Sequence, residues 1–200
     1  MEKFCCINLK CTDIKLIESC LNCAQTKNNI AEEMAFTGFL NNLTQMINKV
    51  SAYICVFKNC EYSLLLLNDT YMSTHFAQEL SCKIQNTVIY TSFTEYENVI
   101  YIFEKGMTLL EYIKNDFEKT SQSFYYNEQC IWNEKQKQVF EKIKHWDINL
   151  DLIIELENVF GATFTTNFSQ MNNKKIIIEW INICDKIYYY EKGDALTEIK

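Results

Sequence analysis

The sequence predicts an α+β protein: an antiparallel sheet with helices on one face, followed by two helices and a small β tail. Three observations carry that prediction. Apolar and polar residues alternate with period two across Phe93–Ile113, breaking at Glu104-Lys105-Gly106, and short apolar runs at Ala52–Phe57, Tyr62–Leu67 and Thr87–Phe93 read as further strands. Stretches of 3.6-residue periodicity sit between and after these strands. Short polar breaks such as Lys58-Asn59-Cys60-Glu61 and Glu104-Lys105-Gly106 read as hairpin turns, and hairpins make antiparallel sheets.

The elements follow in order. Phe4–Leu9 is a strand. Thr12 or Asp13 caps a helix that places Ile14, Ile17, Leu21 and Ala24 on one side. A second helix, Glu32–Lys49, lines up Ala35, Phe36, Phe39, Leu40, Leu43, Met46 and Ile47. Ala52–Phe57 and Tyr62–Leu67 are hairpin strands. Asn68-Asp69-Thr70 opens a helix over Tyr71–Ile84 with Phe76, Ala77, Leu80 and Ile84 inward. Strands follow at Thr87–Phe93, Asn98–Glu104 and Met107–Ile113. Residues 115–129 are polar and read as a loop. One further helix carries Trp132, Val139, Phe140, Ile143 and Trp146. The next carries Ile148, Leu152, Leu156, Val159 and Phe160, and Gly161 is placed to end it. Ala162–Phe168, Lys174–Trp180 and Lys186–Tyr190 read as strands, with Asn172-Asn173 a turn between the first two. This order is close to a ferredoxin-like split βαβ arrangement. The corresponding division is 1–114 as an α+β sheet domain, 115–130 as a loop or linker, and 131–200 as a helical pair plus β tail packed on the first part.

Composition narrows the function. The chain has 200 residues, enough to bury a core without disulfides. It has no proline, no arginine and 4 glycines, so it lacks the bidentate fork for phosphate or guanine and the glycine-rich loops that cradle nucleotides. The net charge of −7 opposes binding to nucleic acid or anionic membrane and favours a basic partner. No apolar run approaches a membrane span, and MEKFCCINLK does not read as an export signal, so a cytoplasmic location is expected.

The 10 cysteines are read as reduced thiols serving as small buried hydrophobes. The sharper alternative is a zinc-stabilised adaptor using Cys5, Cys6, Cys11, Cys20 and Cys23, but the second paired module of a zinc site is missing. The expectation is therefore no cofactor and no metal. His75 and His145, the two histidines, fall in helices among polar neighbours, so no nucleophile and base pair is indicated and no catalytic residue is assigned. Asp147, Asp151 and the pair Glu32-Glu33 fit first-turn positions of helices. The lysines of 135–144 are interrupted by Glu141 and read as a solvated helical face.

The stretch from Ser51 to Ile113 contains AYICVFKNCEYSLLLLND, HFAQELSCKI and TVIYTSFTEYENVIYIFEKGMTLLEY. It resembles small, mostly uncharacterised bacterial α+β proteins, some of which look like immunity partners of secreted toxins. Ala77, Glu79, Leu80, Ser81, Glu95, Glu97 and Gly106 carry the likeness. The resemblance implies protein binding and supplies no catalytic residues.

The expected function is a non-enzymatic cytosolic protein that binds a protein partner, an immunity-type inhibitor occluding a basic toxin domain. The candidate partner-binding residues are Asp69, Glu95, Tyr96, Glu97, Glu104 and Glu111: acidic groups steer association, and tyrosine anchors an interface at low entropic cost. The alternative is a small enzyme or ligand-binding regulator with a pocket between the sheet and the C-terminal helices.

Overall fold

The computed structural model describes residues 4–22, 51–58, 60–67, 74–115, 121–145, 148–166, 170–191 and 196–199. The expected helix at Glu32–Lys49 lies outside them, as do Cys23, Asp69, Trp146 and Asp147. Nine strands form one antiparallel sheet: β1 Phe4–Leu9, β2 Ser51–Phe57, β3 Ser63–Leu67, β4 Thr87–Phe93, β5 Glu97–Glu104, β6 Met107–Asn115, β7 Ser121–Tyr126, β8 Cys184–Glu191 and β9 Thr197–Ile199. Their order is β7-β6-β5-β4-β1-β3-β2-β8-β9. The helices are α1 (residues 14–22), α2 Thr74–Ile84, α3 Glu134–His145, α4 Leu150–Phe160 and α5 Lys174–Ile183.

The sheet is larger than the sequence predicts, and helices cover both faces rather than one. On one face Ile17, Cys20 and Leu21 of α1 and Ala77, Leu80 and Ile84 of α2 pack on Ile7, Leu9, Ile54, Leu65 and Val88. On the other, Val139, Phe140 and Ile143 of α3 and Leu152, Ile153 and Leu156 of α4 pack on Cys6, Leu64, Ile89, Ile100 and Tyr112. The central strands FCCINL and SLLLL are consequently buried at every residue. A strand covered on both faces loses the polar half of its alternation.

The helix starts are made by side chains that the sequence displays. Asp13 Oδ1 accepts from Lys15 N at 3.0 Å and Leu16 N at 3.2 Å, capping α1. Asn133 and Gln136 exchange side-chain and backbone bonds of 2.9 and 3.0 Å, a reciprocal capping box for α3. Gly161 ends α4 in the left-handed region at φ 63°, as expected. An added Cβ there meets nothing within 4 Å, so Gly161→Ala carries backbone strain alone. The expected loss is about 1–2 kcal/mol, read as a lowered denaturant midpoint at unchanged slope.

Three stretches differ from the sequence expectation. Residues 115–130, expected as a loop, carry β7, which pairs with β6 from Leu110↔Tyr126 to Asn115↔Ser121. Lys174–Trp180, expected as a strand, lies in α5; Asn173 caps this helix by accepting from Lys175 N at 3.0 Å rather than turning a hairpin. The isoleucine run has β propensity worth only tenths of a kcal/mol per residue, and seating Ile176, Ile177 and Trp180 on the core outweighs it. Ala162–Phe168, also expected as a strand, is irregular over its described residues, 162–166. Several of its backbone groups bond to side chains instead. Asn8 Nδ2 donates to Thr163 O at 2.8 Å while Thr163 N donates to Asn8 Oδ1 at 3.0 Å. Glu157 Oε1 accepts from Phe164 N, Thr165 N and Thr165 Oγ1.

The tail strand Lys186–Tyr190 does form within β8. It pairs with β2 along Ser51–Phe57, so the C-terminal part extends the same sheet. Among the described residues no helix is long and apolar enough to cross a membrane.

Candidate functional site

The turn between β4 and β5 is organised by Thr94. Its backbone N–H donates to Glu97 O at 2.8 Å, and its Oγ1 accepts from Glu97 N at 2.9 Å and Tyr96 N at 3.3 Å. A single threonine hydroxyl thus closes a tight loop without glycine. Glu95 and Tyr96 sit at its tip, both exposed, with Tyr96 53% accessible.

Glu97 begins β5 on the sheet face that also carries Val99, Tyr101 and Phe103, because alternate residues share a face. The register sets Tyr101 against Glu111 of β6, and Glu111 against Tyr125 of β7. Val99, Ile113 and Ser123 form the next row. Tyr125 is 50% exposed, whereas Val99 is buried. Lys114, aligned with Asn98 and Gln122, belongs to the opposite phase. The outer strands therefore place Tyr101, Glu111 and Tyr125 in one cross-strand row, and Glu97 lies on the same face two rows on, roughly 13 Å along β5 beside the Glu95-Tyr96 turn.

The Glu111 carboxylate is held by a neighbour. Ser123 Oγ donates to Glu111 Oε1 at 3.3 Å, and Tyr101 faces Glu111 across the β5–β6 ladder. Burial, then the neighbouring Glu111 and Glu97 carboxylates, push the Tyr101 phenol up to about 12. Tyr101 stays a neutral donor, and its ring stacks on Phe103 at 5.4 Å between centroids. Ser123 thus restrains Glu111 and Phe103 restrains Tyr101, which reduces the side-chain entropy lost on binding.

Glu104 stands apart from this row. It lies at the far end of β5 from Glu97, seven residues or roughly 23 Å away, and on the other face. There its charge helps burial raise the Tyr62 phenol and the Cys130 thiol. The β5–β6 turn beside it is docked on α2. Lys105 and Gly106 take φ of 51° and 84°, the left-handed pair of a two-residue hairpin. Ser81 Oγ accepts from Gly106 N at 2.9 Å, and Gln78 Nε2 donates to Gly106 O at 2.8 Å. Of the six residues expected at the partner surface, Glu95, Tyr96 and Glu97 gather at the turn, Glu111 shares the face of Glu97 two rows away, Glu104 lies on the other face, and Asp69 lies outside the described residues. Tyr101, Ser123 and Tyr125 join the site without having been singled out; the last two come from the strand that the sequence presented as a loop.

The other candidate chemistries resolve geometrically. Cys5 and Cys6 point to opposite faces of the sheet, Cys5 toward α1 and Cys6 toward α4, so they cannot share one ion. Among the described residues no group of three or more His, Cys, Asp or Glu is placed to hold a metal. His75 and His145 lie on helix surfaces, 3.7 Å from Glu79 and 3.6 Å from Glu141 one turn away. The space between the sheet and the C-terminal helices is filled by Phe140, Leu152, Phe164 and Met171, all buried. A groove of about 160 Å³ lies at the end of α5, lined by Ile181, Cys184, Asp185, Lys186, Ile187, Glu198 and Ile199.

The chain matches no protein-family model, no curated protein and no solved structure.

Proposed function

We propose that this protein is a non-enzymatic binding protein whose outer sheet face docks a basic protein partner, and that it acts as an immunity-type inhibitor covering the partner's active surface. One observation carries the reading: Glu97, Tyr101, Glu111 and Tyr125 share one face of β5–β7, next to the exposed Glu95-Tyr96 turn. Acidic groups around tyrosines combine electrostatic steering with low-entropy anchors. The likeness of residues 51–113 to immunity-type proteins favours an inhibitor within that class, and the shortage of proton-shuttling groups favours a protein without catalysis. A cytoplasmic site of action fits the reduced-thiol reading of its cysteines.

The architecture also supports a ferredoxin-like reading of the centre. Strands β4-β1-β3-β2 are adjacent and antiparallel, and α1 and α2, which follow β1 and β3, share one core on one face. The alternative is an enzyme or ligand-binding regulator; the groove described beside α5 is smaller than the roughly 300 Å³ at which small-molecule sites begin, so that groove does not favour it.

The test is capture of the partner from the native host, followed by titration of the purified pair. Glu97→Lys with Glu111→Lys is expected to weaken binding by roughly a hundredfold at low salt, about 2.7 kcal/mol, mostly through slower association and charge repulsion. Wild-type affinity should fall as salt rises. A partner that binds the double variant as tightly as the wild type rejects this face as the docking surface.

A further inference from the structure

The sheet ends on two edges of opposite character. β9, at one end of the strand order, has 3 residues and carries Glu198. β7, at the other, has 6 residues, Ser121–Tyr126, with no charged residue, proline or glycine. Its register with β6 runs without a bulge. Shortness, charge, proline and bulges are the means by which sheets keep an edge from pairing with another chain. β9 uses the first two and β7 uses none.

The ladder fixes which groups the β7 edge offers. The Asn127 N–H donates to Leu109 O at 2.8 Å, and continuing the β6–β7 register by one residue sets these two opposite each other. They form a hydrogen-bonded pair, so the alternation of an antiparallel ladder makes Ser121, Ser123 and Tyr125 the residues bonded to β6. The N–H and C=O groups of Gln122, Phe124 and Tyr126 therefore point away from the sheet. Among the described residues none of these groups meets a hydrogen-bonding partner. The strand is nevertheless held firmly. Phe124 and Tyr126 pack on the core beside α3, the Tyr126 ring 5.7 Å from that of Phe140. Gln122 Nε2 donates to Ile143 O and Lys144 O at the end of α3. A strand arriving at this edge meets a template that is already ordered.

The chemistry beside the edge selects what arrives. On the open face the row Tyr101–Glu111–Tyr125 leads to the position of an added residue. That residue would stand roughly 5 Å from Tyr125 and roughly 10 Å from Glu111, one and two strand spacings. A lysine or arginine there lays its stem over the half-exposed Tyr125 ring and carries its charge toward Glu111. On the α3 face the neighbours are Phe124 and Tyr126, which suit apolar residues at the alternate positions. A second copy of this chain fits less well, since its own β7 has no charge to offer Glu111.

We propose, resting on the acidic face described above, that the partner binds by strand addition: an extended segment with lysine or arginine at alternate positions and apolar residues between them pairs with β7 and lengthens the sheet. Backbone bonds to Gln122, Phe124 and Tyr126 supply the register, and the alternating side chains supply the selectivity.

The experiment titrates the full isotope-labelled chain with a blocked peptide of alternating lysine and valine, as long as β7, and follows amide hydrogen exchange. In the free protein the amides of Gln122, Phe124 and Tyr126 should exchange fast, and those of Ser123 and Tyr125 slowly. Saturating peptide should slow the first group at least roughly tenfold. N-methylation of the valines, whose N–H groups face β7, should abolish this protection, whereas N-methylation of the lysines should not. An alternating glutamate and valine peptide should bind at least roughly tenfold more weakly. Peptide binding that leaves the Gln122, Phe124 and Tyr126 amides exchanging as before, but weakens in Glu97→Lys with Glu111→Lys, overturns strand addition and keeps the acidic face as the docking surface. Equal protection by the glutamate and lysine peptides overturns the basic segment and the acidic-face reading together. Protection that appears without peptide and grows with protein concentration gives β7 to a second copy and overturns the proposal, as does a lysine peptide that fails to bind.

Discussion

Phe140→Ala is expected to lower the unfolding free energy by about 3–5 kcal/mol. Phe140 is 1% exposed and joins three elements. Its ring lies 5.0 Å from Trp132 edge-on, 5.7 Å from Tyr126 of β7 and 6.2 Å from Phe160 of α4. Removing it opens a void that α3 cannot close, because Val139 and Ile143 hold that helix on the sheet, and it forfeits aromatic contacts worth about 0.5–1.5 kcal/mol each. At about 2–4 °C per kcal/mol for a chain of this size, the melting midpoint should fall by roughly 6–20 °C. Denaturant titration at constant slope is the cleaner measurement. A loss below about 1 kcal/mol would show that α3 repacks and that the aromatic cluster is not the hub assigned to it.

Asn8→Ala is expected to cost about 2–4 kcal/mol, for a different reason. Asn8 is fully buried in the central strand, where an apolar residue would normally sit. Its amide imitates a backbone peptide, donating to Thr163 O and accepting from Thr163 N. It thereby docks the irregular segment after α4 onto β1. The Cys5 N–H, which donates to Thr166 O at 3.2 Å, fastens the same segment further along. Truncation leaves the Thr163 N–H without its acceptor, at about 1–3 kcal/mol away from water, and leaves Thr163 O only the weak Cys6 Sγ donor at 3.1 Å. Asn8→Asp keeps the acceptor but loses the donor and buries a charge, so it should be no better than alanine. Hydrogen exchange at the Thr163 amide should rise in both variants more than at amides of β5. Protection at Thr163 equal to wild type would refute the docking role.

The parts of the fold that could be read from the chain are those with local causes. The strands of residues 87–113 follow from alternation, and the turn at 104–107 from a glycine able to take positive φ. Asp13 and Gly161 mark helix ends because capping depends on residues within one turn. The candidate site was partly legible for the same reason. Glu95, Tyr96 and Glu97 surround one turn and stay together whatever the tertiary packing. Glu111 could be linked to Tyr101 only through the β5–β6 register, and Tyr125 only once β7 is known to be a strand. Nothing local distinguishes SQSFYY from a loop; its strand state comes from bonds to β6. Glu104 and Glu97 look equivalent in sequence, but seven residues of alternation put them on opposite faces.

Local chemistry alone determined that this chain alternates, turns and caps as an α+β protein, that it carries excess negative charge, and that it cannot grip phosphate with arginine. Tertiary structure decided that one nine-stranded sheet, among the described residues, would be covered on both faces and that the isoleucines of α5 would coil rather than extend. The physical reason is range. Caps and turns draw their energy from neighbours within a few residues, whereas sheet order, burial of a second face and a bulge that slips one ladder are set by contacts across more than a hundred residues of chain.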